Sequence, residues 1–472
     1  MKEQIQKKLN DSPFMRWTAL VLVASAMFFA YMFVDVLSPL QTMLETQVGW
    51  SADTYGTFAS SEYFLNVFVF FLIFAGIILD KMGVRFTAIL SGAVMVIGGG
   101  IKLYAISPLF AEGNALYDFL NSFWTSFPAN AKLASVGFAI FGCGVEMAGI
   151  TVSKAIVKWF TGKEMALAMG LEMAIARLGV FAVFRLSPYL ANLGSADVVR
   201  PVAAVCGLLC IGLISFIVYS FMDKKLDKQL GEAANGEPED PFKISDLGIL
   251  FTSKTFLIVA MLCVLYYSAI FPFQKFATSM LENRLDMATE DASALFSWFP
   301  IGAMVLTPLL GWFLDNKGKG ATMLIAGALL MSFCHLIFAL YPLNGDGSSY
   351  FVAYTAIIVL GISFSLVPAA LWPSVPKLVE NRYLGSAYSV IFWIQNIGLW
   401  AFPIIIGKAL VWANPGVEAG GEYDYKVPML IFASLGVFAF LLGLWLKAED
   451  KKKGYGLEEA NIKKYIEIRL DI

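Results

Sequence analysis

The chain has 472 residues, is 58% hydrophobic and 15% charged, and carries a net charge of −2 with a mean hydropathy of +0.70. A soluble domain carries about 25% charged residues, so the composition excludes a soluble globular protein and predicts an all-α, multi-pass membrane protein. A near-zero net charge by itself says nothing about partners, and no nucleic-acid partner is expected; the information lies in where the few charges sit.

The opening MKEQIQKKLNDSPFMRW is basic and polar and leads into a long apolar run without a small-residue cleavage site, so the first span reads as retained rather than as a signal peptide. A membrane-crossing helix needs about 20 mostly apolar residues. Twelve stretches qualify: 17–40, 54–79, 86–106, 130–157, 165–191, 199–222, 255–281, 290–314, 320–341, 349–374, 384–412 and 427–447. Lysine and arginine concentrate on one set of loops: at Lys81 and Arg85, Lys158 and Lys163, Lys224 to Lys254, Lys317 and Lys319, Lys377 and Arg382, and in both tails. By the positive-inside rule both termini are cytoplasmic. The longest hydrophilic insert, 223–254, reads as a cytoplasmic linker with a short helix or two. It separates residues 1–222 from 255–447, giving two pseudo-symmetric six-helix bundles. In the cytoplasmic tail, 448–472, Ile462, Ile466 and Leu470 recur at the spacing of an amphipathic helix on the membrane face.

Cys143, Cys206, Cys210, Cys263 and Cys334 all lie in apolar runs without metal-binding spacing, and read as small buried hydrophobes. No metal and no cofactor is expected.

The halves carry an internal repeat. GIILDKMGVR (76–85) and GWFLDNKGKG (311–320) share G-x-x-L-D-x-x-G, and each ends an even-numbered span. Gly83 and Gly318 permit tight turns. Asp80, Arg85 and Asp315 place charges where an acid could meet a helix N-terminus, so these loops are candidate inner-gate elements; a plain stop-transfer loop is the other reading. A second alignment sets GKEMALAMGLEMAIARLG (162–179) beside NRYLGSAYSVIFWIQNIG (381–398), with Lys163 against Arg382 and glycine at both ends.

These loops, the six-plus-six layout and the basic linker resemble the major facilitator superfamily across the whole chain. KWFTGKEMALAMGLEMAIARLG, YYSAIFPFQKF, ALWPSVPKLV and LGSAYSVIFWIQNIGL look more narrowly like the branch of that family containing lysosomal dipeptide transporters. The resemblance implies transport by alternating access.

Charges inside spans are costly and mark function by default. Glu146 lies near the middle of span four and Arg177 near the middle of span five. One reading is a structural ion pair. The other is a midplane substrate site, with Arg177 gripping a carboxylate and Glu146 an ammonium. The branch resemblance implies the second, placing the dipeptide-binding acid and arginine at these positions. The other half has Asn396 opposite Arg177 and is expected to contribute Tyr266, Tyr267, Phe271, Trp372, Gln395 and Asn396 as polar and aromatic contacts. Asp35, Glu62, Arg185 and Lys275 lie in the outer thirds of their spans. They are candidates for an outer gate or for proton coupling, with a solvated vestibule as the alternative. Glu172 and Lys154 are expected to meet near the inner side, Lys102 and Lys408 to snorkel, and His335 to be a packing residue.

The expected function is a secondary transporter of dipeptides, as uniporter or with a proton. An organic-anion or dicarboxylate transporter and a non-transporting receptor are the alternatives. Walker, HExxH and usable GxSxG motifs are absent, so enzymatic catalysis has no support. The expected partners are a small-molecule substrate and the lipid bilayer, with the chain a monomer. The expected location is a microbial plasma membrane, or the lysosomal membrane in a eukaryote.

Overall fold

The computed structural model describes residues 8–230 and 244–460. Hydrocarbon offers no partner to a backbone amide, so an apolar chain of this kind must satisfy its hydrogen bonds within helices. The main helices are α1 (Pro13–Asp35), α2 (Ala52–Ser60), α3 (Phe71–Ile106), α4 (Ala129–Phe160), α5 (Met165–Ala191), α6 (Val199–Leu230), α7 (Lys254–Leu285), α8 (Trp298–Lys317), α9 (Gly320–Leu340), α10 (Gly347–Leu378), α11 (Leu384–Ala413) and α12 (Lys426–Lys453). Pro13 starts α1, where its missing N–H costs nothing. Gly454, left-handed at φ 69, closes α12.

Among the described residues, eleven helical segments are long and apolar enough to cross a membrane: α1 with its extension to Val48, and α3 to α12. The expected continuous span at 54–79 is not one helix. α2 stops at Ser60, a 3₁₀ turn covers Ser61–Tyr63, a short helix covers Phe64–Phe68, and Phe70 is left-handed at φ 55 before α3 begins. The break is tolerated because protein answers the freed backbone. Trp393 of α11 donates its indole N–H to the Val67 carbonyl at 3.0 Å, and its ring stacks on Phe70 at 5.4 Å. α3 then runs on through a kink at Gly83, so the expected loop between spans two and three is a bend inside one helical segment. Gly83 (φ 77, ψ 167) and Gly318 (φ 73, ψ −140) occupy conformations that side chains disfavour strongly, which is why both repeats keep glycine there. A short helix, Thr289–Phe296, precedes α8, and another, Ile244–Thr252, precedes α7. The expected tail helix at Ile462, Ile466 and Leu470 lies outside the described residues.

Packing falls into two groups. α1 lies on α5 and α6, and α3 on α4 and α6; α7 lies on α11 and α12, α9 on α10 and α12, and α8 on α10. The two glycines matched at the end of the second repeat serve one purpose. A side-chain carbon at Gly179 would lie 2.4 Å from the Phe28 carbonyl oxygen of α1, and one at Gly398 would lie 2.1 Å from Ser268 Oγ of α7. Each glycine lets the fifth helix of its group touch the first.

Between the groups, α2 packs on α11 and α5 on α8. The α2–α11 contact is reciprocal: a side chain at Gly56 would strike the Pro403 carbonyl at 2.2 Å, and one at Gly407 the Ala52 carbonyl at 2.4 Å. Most polar contacts between the groups sit at the end of the bundle far from Pro13, Lys254 and Lys453, here called the distal end. They include Thr42–Glu282 at 2.8 Å, Tyr423–Glu45 at 2.5 Å and Asn192–Glu290. At the proximal end, ion pairs stay inside a group: Arg16–Glu164 and Lys154–Asp80 in one, Lys254–Glu449 in the other. The groups are therefore clamped distally.

Adding a branched side chain at a site this tight costs about 1–3 kcal/mol or more. Gly407→Val should therefore open the distal end. In the purified protein, spin labels at the exposed positions Leu193 and Glu418 should report a longer distance distribution than in the parent, by double electron–electron resonance.

Candidate substrate site between the helix groups

Glu146 on α4 and Arg177 on α5 are both half-buried. Among the described residues, neither makes an ion pair or a side-chain hydrogen bond. The structural ion pair entertained from the sequence is not formed. Arg177 points out of its own group: its guanidinium carbon lies 5.5 Å from the ring centres of Phe271 on α7 and Phe364 on α10, and 6.0 Å from Tyr31 on α1. Rings at this distance stabilise a cation through their faces while leaving its N–H groups free to donate. A planar fork with five free donors suits a carboxylate.

Phe271 belongs to a continuous aromatic shelf on the second group. Tyr267 stacks on Phe271 at 5.6 Å and meets Trp372 at 6.3 Å. Trp372 donates its indole N–H to the Tyr267 hydroxyl at 3.1 Å and stacks on Phe392 at 4.8 Å. Tyr267, Phe271 and Trp372 thus come together opposite Arg177. Tyr266 does not join them: it is fully buried and its hydroxyl donates to the Leu324 carbonyl of α9. Consecutive helical residues point about 100° apart, so only one of the two tyrosines can face the other group. Gln395 is buried and accepts a weak hydrogen bond from the Cys263 thiol at 3.5 Å, and Asn396 beside it is also buried.

At the distal edge, Asp35 accepts from Lys275 Nζ at 3.0 Å, from Gln274 Nε2 at 2.5 Å and from Ser38 Oγ at 3.0 Å. Lys275 also donates to the Val34 carbonyl at 3.0 Å and lies 3.8 Å from Glu62 Oε2. Asp35 is 1% exposed, Lys275 4% and Glu62 6%, so they do not line a solvated vestibule in this form. Arg185 departs from the expected cluster. It joins α5 to the second group by donating Nε to Ser297 Oγ at 2.9 Å, and among the described residues makes no ion pair.

Other expectations are corrected. Lys102 does not snorkel: it is 0% exposed, with Nζ 4.4 Å from the ring centre of Phe33 and 4.3 Å from that of Phe138. α4 presses on α3 at this level, since a side chain at Gly137 would lie 2.6 Å from the Lys102 amide nitrogen, and no path to the surface is left. Lys154 pairs with Asp80 at 2.6 Å rather than with Glu172. His335, by contrast, is the packing residue expected: it is fully buried between Phe273 and Phe432.

The two inner-gate candidates are tied down within their own groups. Besides Asp80–Lys154, Arg85 pairs with Asp227 at 3.0 Å and Lys158 with Asp223 at 2.7 Å. In the second group, Gly318 lies against the segment after α12, where a side chain would strike the Glu458 carbonyl at 2.3 Å. Asp315, half-buried at the end of α8, lies within electrostatic reach of Lys377. The Glu458 carboxylate accepts from the Thr322 amide at 2.7 Å and its hydroxyl at 2.8 Å, at the start of α9. Burial works to raise this carboxyl, but those hydrogen bonds and the charges of Lys447 and Lys319 outweigh it and hold it below the usual carboxylate range. The alignment that sets Lys163 against Arg382 also sets Lys158 against Lys377. Lys377 donates to the Gly456 carbonyl at 2.9 Å, so both lysines anchor the end of the sixth helix of their group.

Sequence reasoning missed Tyr31 and Phe364. The available signal was spacing, since Tyr31 precedes Asp35 by one helical turn and Phe364 precedes Trp372 by about two.

The family model described as Major Facilitator Superfamily matches residues 23–403 and 276–466. The chain is 26% identical over 404 residues to the lysosomal dipeptide transporter MFSD1 of Bos taurus, covering 84% of this chain and 79% of that protein. It is 27% identical to its counterpart in Mus musculus over the same length, with 84% and 80% covered. Among solved structures, the nucleoside transporter NupG superposes with a TM-score of 0.70 at 13% identity, covering 91% of this chain and 99% of that one. The inward open xylose transporter XylE from E. coli gives 0.67 at 14% identity, covering 92% and 96%. At these identities the solved structures speak for the fold alone.

Because Glu146 and Arg177 do not hold each other, folding is not expected to depend on their pairing. Glu146→Gln and Arg177→Ala should each purify as a single species and melt within a few degrees of the parent by differential scanning fluorimetry. A structural pair would instead show a large loss in both.

Proposed function

The chain belongs to the Major Facilitator Superfamily, and from that premise we propose that it carries dipeptides across a membrane by alternating access. It would act as a monomer of two six-helix bundles, 1–222 and 255–447. The observation that carries this reading is a pair of opposite charges on adjacent helices that leave each other free. Arg177 faces the second group with its donors open, and Glu146 sits on the adjacent helix with no basic partner among the described residues. A zwitterion with a carboxylate at one end and an ammonium at the other completes both. The aromatic shelf of Tyr267, Phe271 and Trp372 offers apolar area for side chains between the charged ends without demanding a particular one.

A dicarboxylate fits less well. It needs a second cation beside Arg177, yet the Arg185 guanidinium is directed to Ser297 of the second group, and Glu146 would repel an anion. In this reading the chain crosses the membrane twelve times, counting α2 with the first part of α3 as one crossing and the rest of α3 as the next. Both termini are then cytoplasmic and the distal clamp is a closed outer gate. On this proposal, a distally closed form belongs to the inward-facing half of the cycle.

The test is uptake into proteoliposomes from a panel of dipeptides, single amino acids and dicarboxylates. Dipeptides should accumulate, and Arg177→Ala and Glu146→Gln should each lower uptake by roughly tenfold or more, the loss expected when a charge-assisted contact is removed. Strong dicarboxylate uptake with none for dipeptides would overturn the reading. Repeating the assay with and without an imposed pH gradient separates uniport from proton coupling.

A further inference from the structure

Glu62 lies where the distal charge cluster meets the candidate site. It sits in the 3₁₀ turn that interrupts the chain between α2 and α3. That turn is pressed on α4 at Gly142: a side-chain carbon there would lie 2.1 Å from the Glu62 carbonyl oxygen. Gly142 and Glu146 are one turn apart on the same face of α4. Glu62 and Glu146 therefore line one interface, and the two carboxylates are within electrostatic reach of each other.

On its other side Glu62 faces Lys275, but loosely. Lys275 gives close hydrogen bonds to Asp35 and to the Val34 carbonyl, both at 3.0 Å, whereas Glu62 Oε2 is 3.8 Å away and accepts no hydrogen bond although buried. A buried acceptor left short of a donor is the member of a network that gains most from a new one. The formal charges agree. Asp35, Glu62 and Glu146 bring three negative charges, while Lys275 and Lys102 bring two positive ones within reach. Arg177 has Glu172 within reach on its own helix. The distal side of the site is thus one positive charge short, and an ammonium group supplies it.

We propose that Glu62 is a shared carboxylate, holding Lys275 in the closed distal end and turning to the substrate's ammonium, beside Glu146, when a dipeptide binds. This rests on the dipeptide reading and adds to it a coupling between occupancy and the gate. An ammonium offers three donors, enough for both glutamates. Once Glu62 turns, Lys275 is balanced by Asp35 alone and the distal clamp loosens. A ligand can shift the gate only through such a difference in contacts between the two states.

The experiment uses the full-length protein in liposomes with alanyl-alanine and its N-acetyl derivative as probes. The readouts are equilibrium binding and the labelling rate of Gln41→Cys by a membrane-impermeant maleimide, in a chain whose five native cysteines are replaced by serine or alanine. Gln41 is buried at the distal end. In the otherwise unchanged chain, alanyl-alanine should raise the labelling rate several-fold. The N-acetyl form should bind roughly tenfold or more weaker and leave the rate unchanged. Glu62→Gln should lose about tenfold in affinity for alanyl-alanine, keep its affinity for the N-acetyl form, and label fast without ligand. Equal affinity changes for both probes, or no change for either, overturn the proposal, as does a parent gate that responds alike to both. If Glu62→Gln does not fold, the two probes on the parent still decide. No binding of alanyl-alanine by the parent removes the dipeptide reading as well.

Discussion

Placing a charge near the bilayer centre costs at least about 2.5–3.5 kcal/mol on insertion scales. Toward the outer third of a span the cost is smaller but still has to be met, and the Asp35–Lys275 contact meets it inside the protein. Each partner is nearly fully buried and each takes further hydrogen bonds, from Gln274 and Ser38 on one side and to the Val34 carbonyl on the other. The pair joins α1 to α7, and so fixes how the two helix groups meet distally. The other cross-group contacts, from Gly56 against Pro403 to Arg185 on Ser297, are possible only while that end is closed. Arg177 and Glu146 stand apart as charges the protein places at depth without binding them to each other.

Much of this was legible in the sequence, because lipid forces the issue. Eleven of the twelve expected spans fall in long helical segments of similar position, all but 54–79, since any run of this hydropathy must be helical to satisfy its backbone. The break between α2 and α3 was not legible. It contains no glycine or proline; it exists because Trp393, more than three hundred residues later, caps the Val67 carbonyl. Tyr266 and Tyr267 could not be told apart without the rotation of α7. Lys102 reads in sequence like any lysine near a helix end; only the close approach of α4 seals it in. Lys154 met Asp80 rather than Glu172 for a similar reason, since the choice depends on which helix neighbours α4 at that height.

The repeat was legible too, and the structure gives it two different kinds of meaning. Gly83 with Gly318, and Gly179 with Gly398, answer the same steric demand in each group. Lys158 and Lys377 answer a common electrostatic need by different means, one through the Asp223 and Asp227 carboxylates and the other through backbone carbonyls after α12. The glycine positions are repeated, while charge is balanced by whatever lies nearby. The intramembrane charges Glu146 and Arg177 have no charged counterpart in the second group, where Asn396 stands opposite Arg177.

The interruption at Ser61–Phe70 has a mechanical consequence. Its distal piece is clamped to α11 by Gly56 and Gly407, and its proximal piece is tied to α4 by Asp80 and Lys154. A rigid rod with those two attachments would transmit every movement from one face of the membrane to the other. A jointed one can stay sealed on one face while it swings on the other. A membrane that holds an ion gradient depends on never being open through both faces at once, and a knee in one rod is a simple way to keep it from short-circuiting.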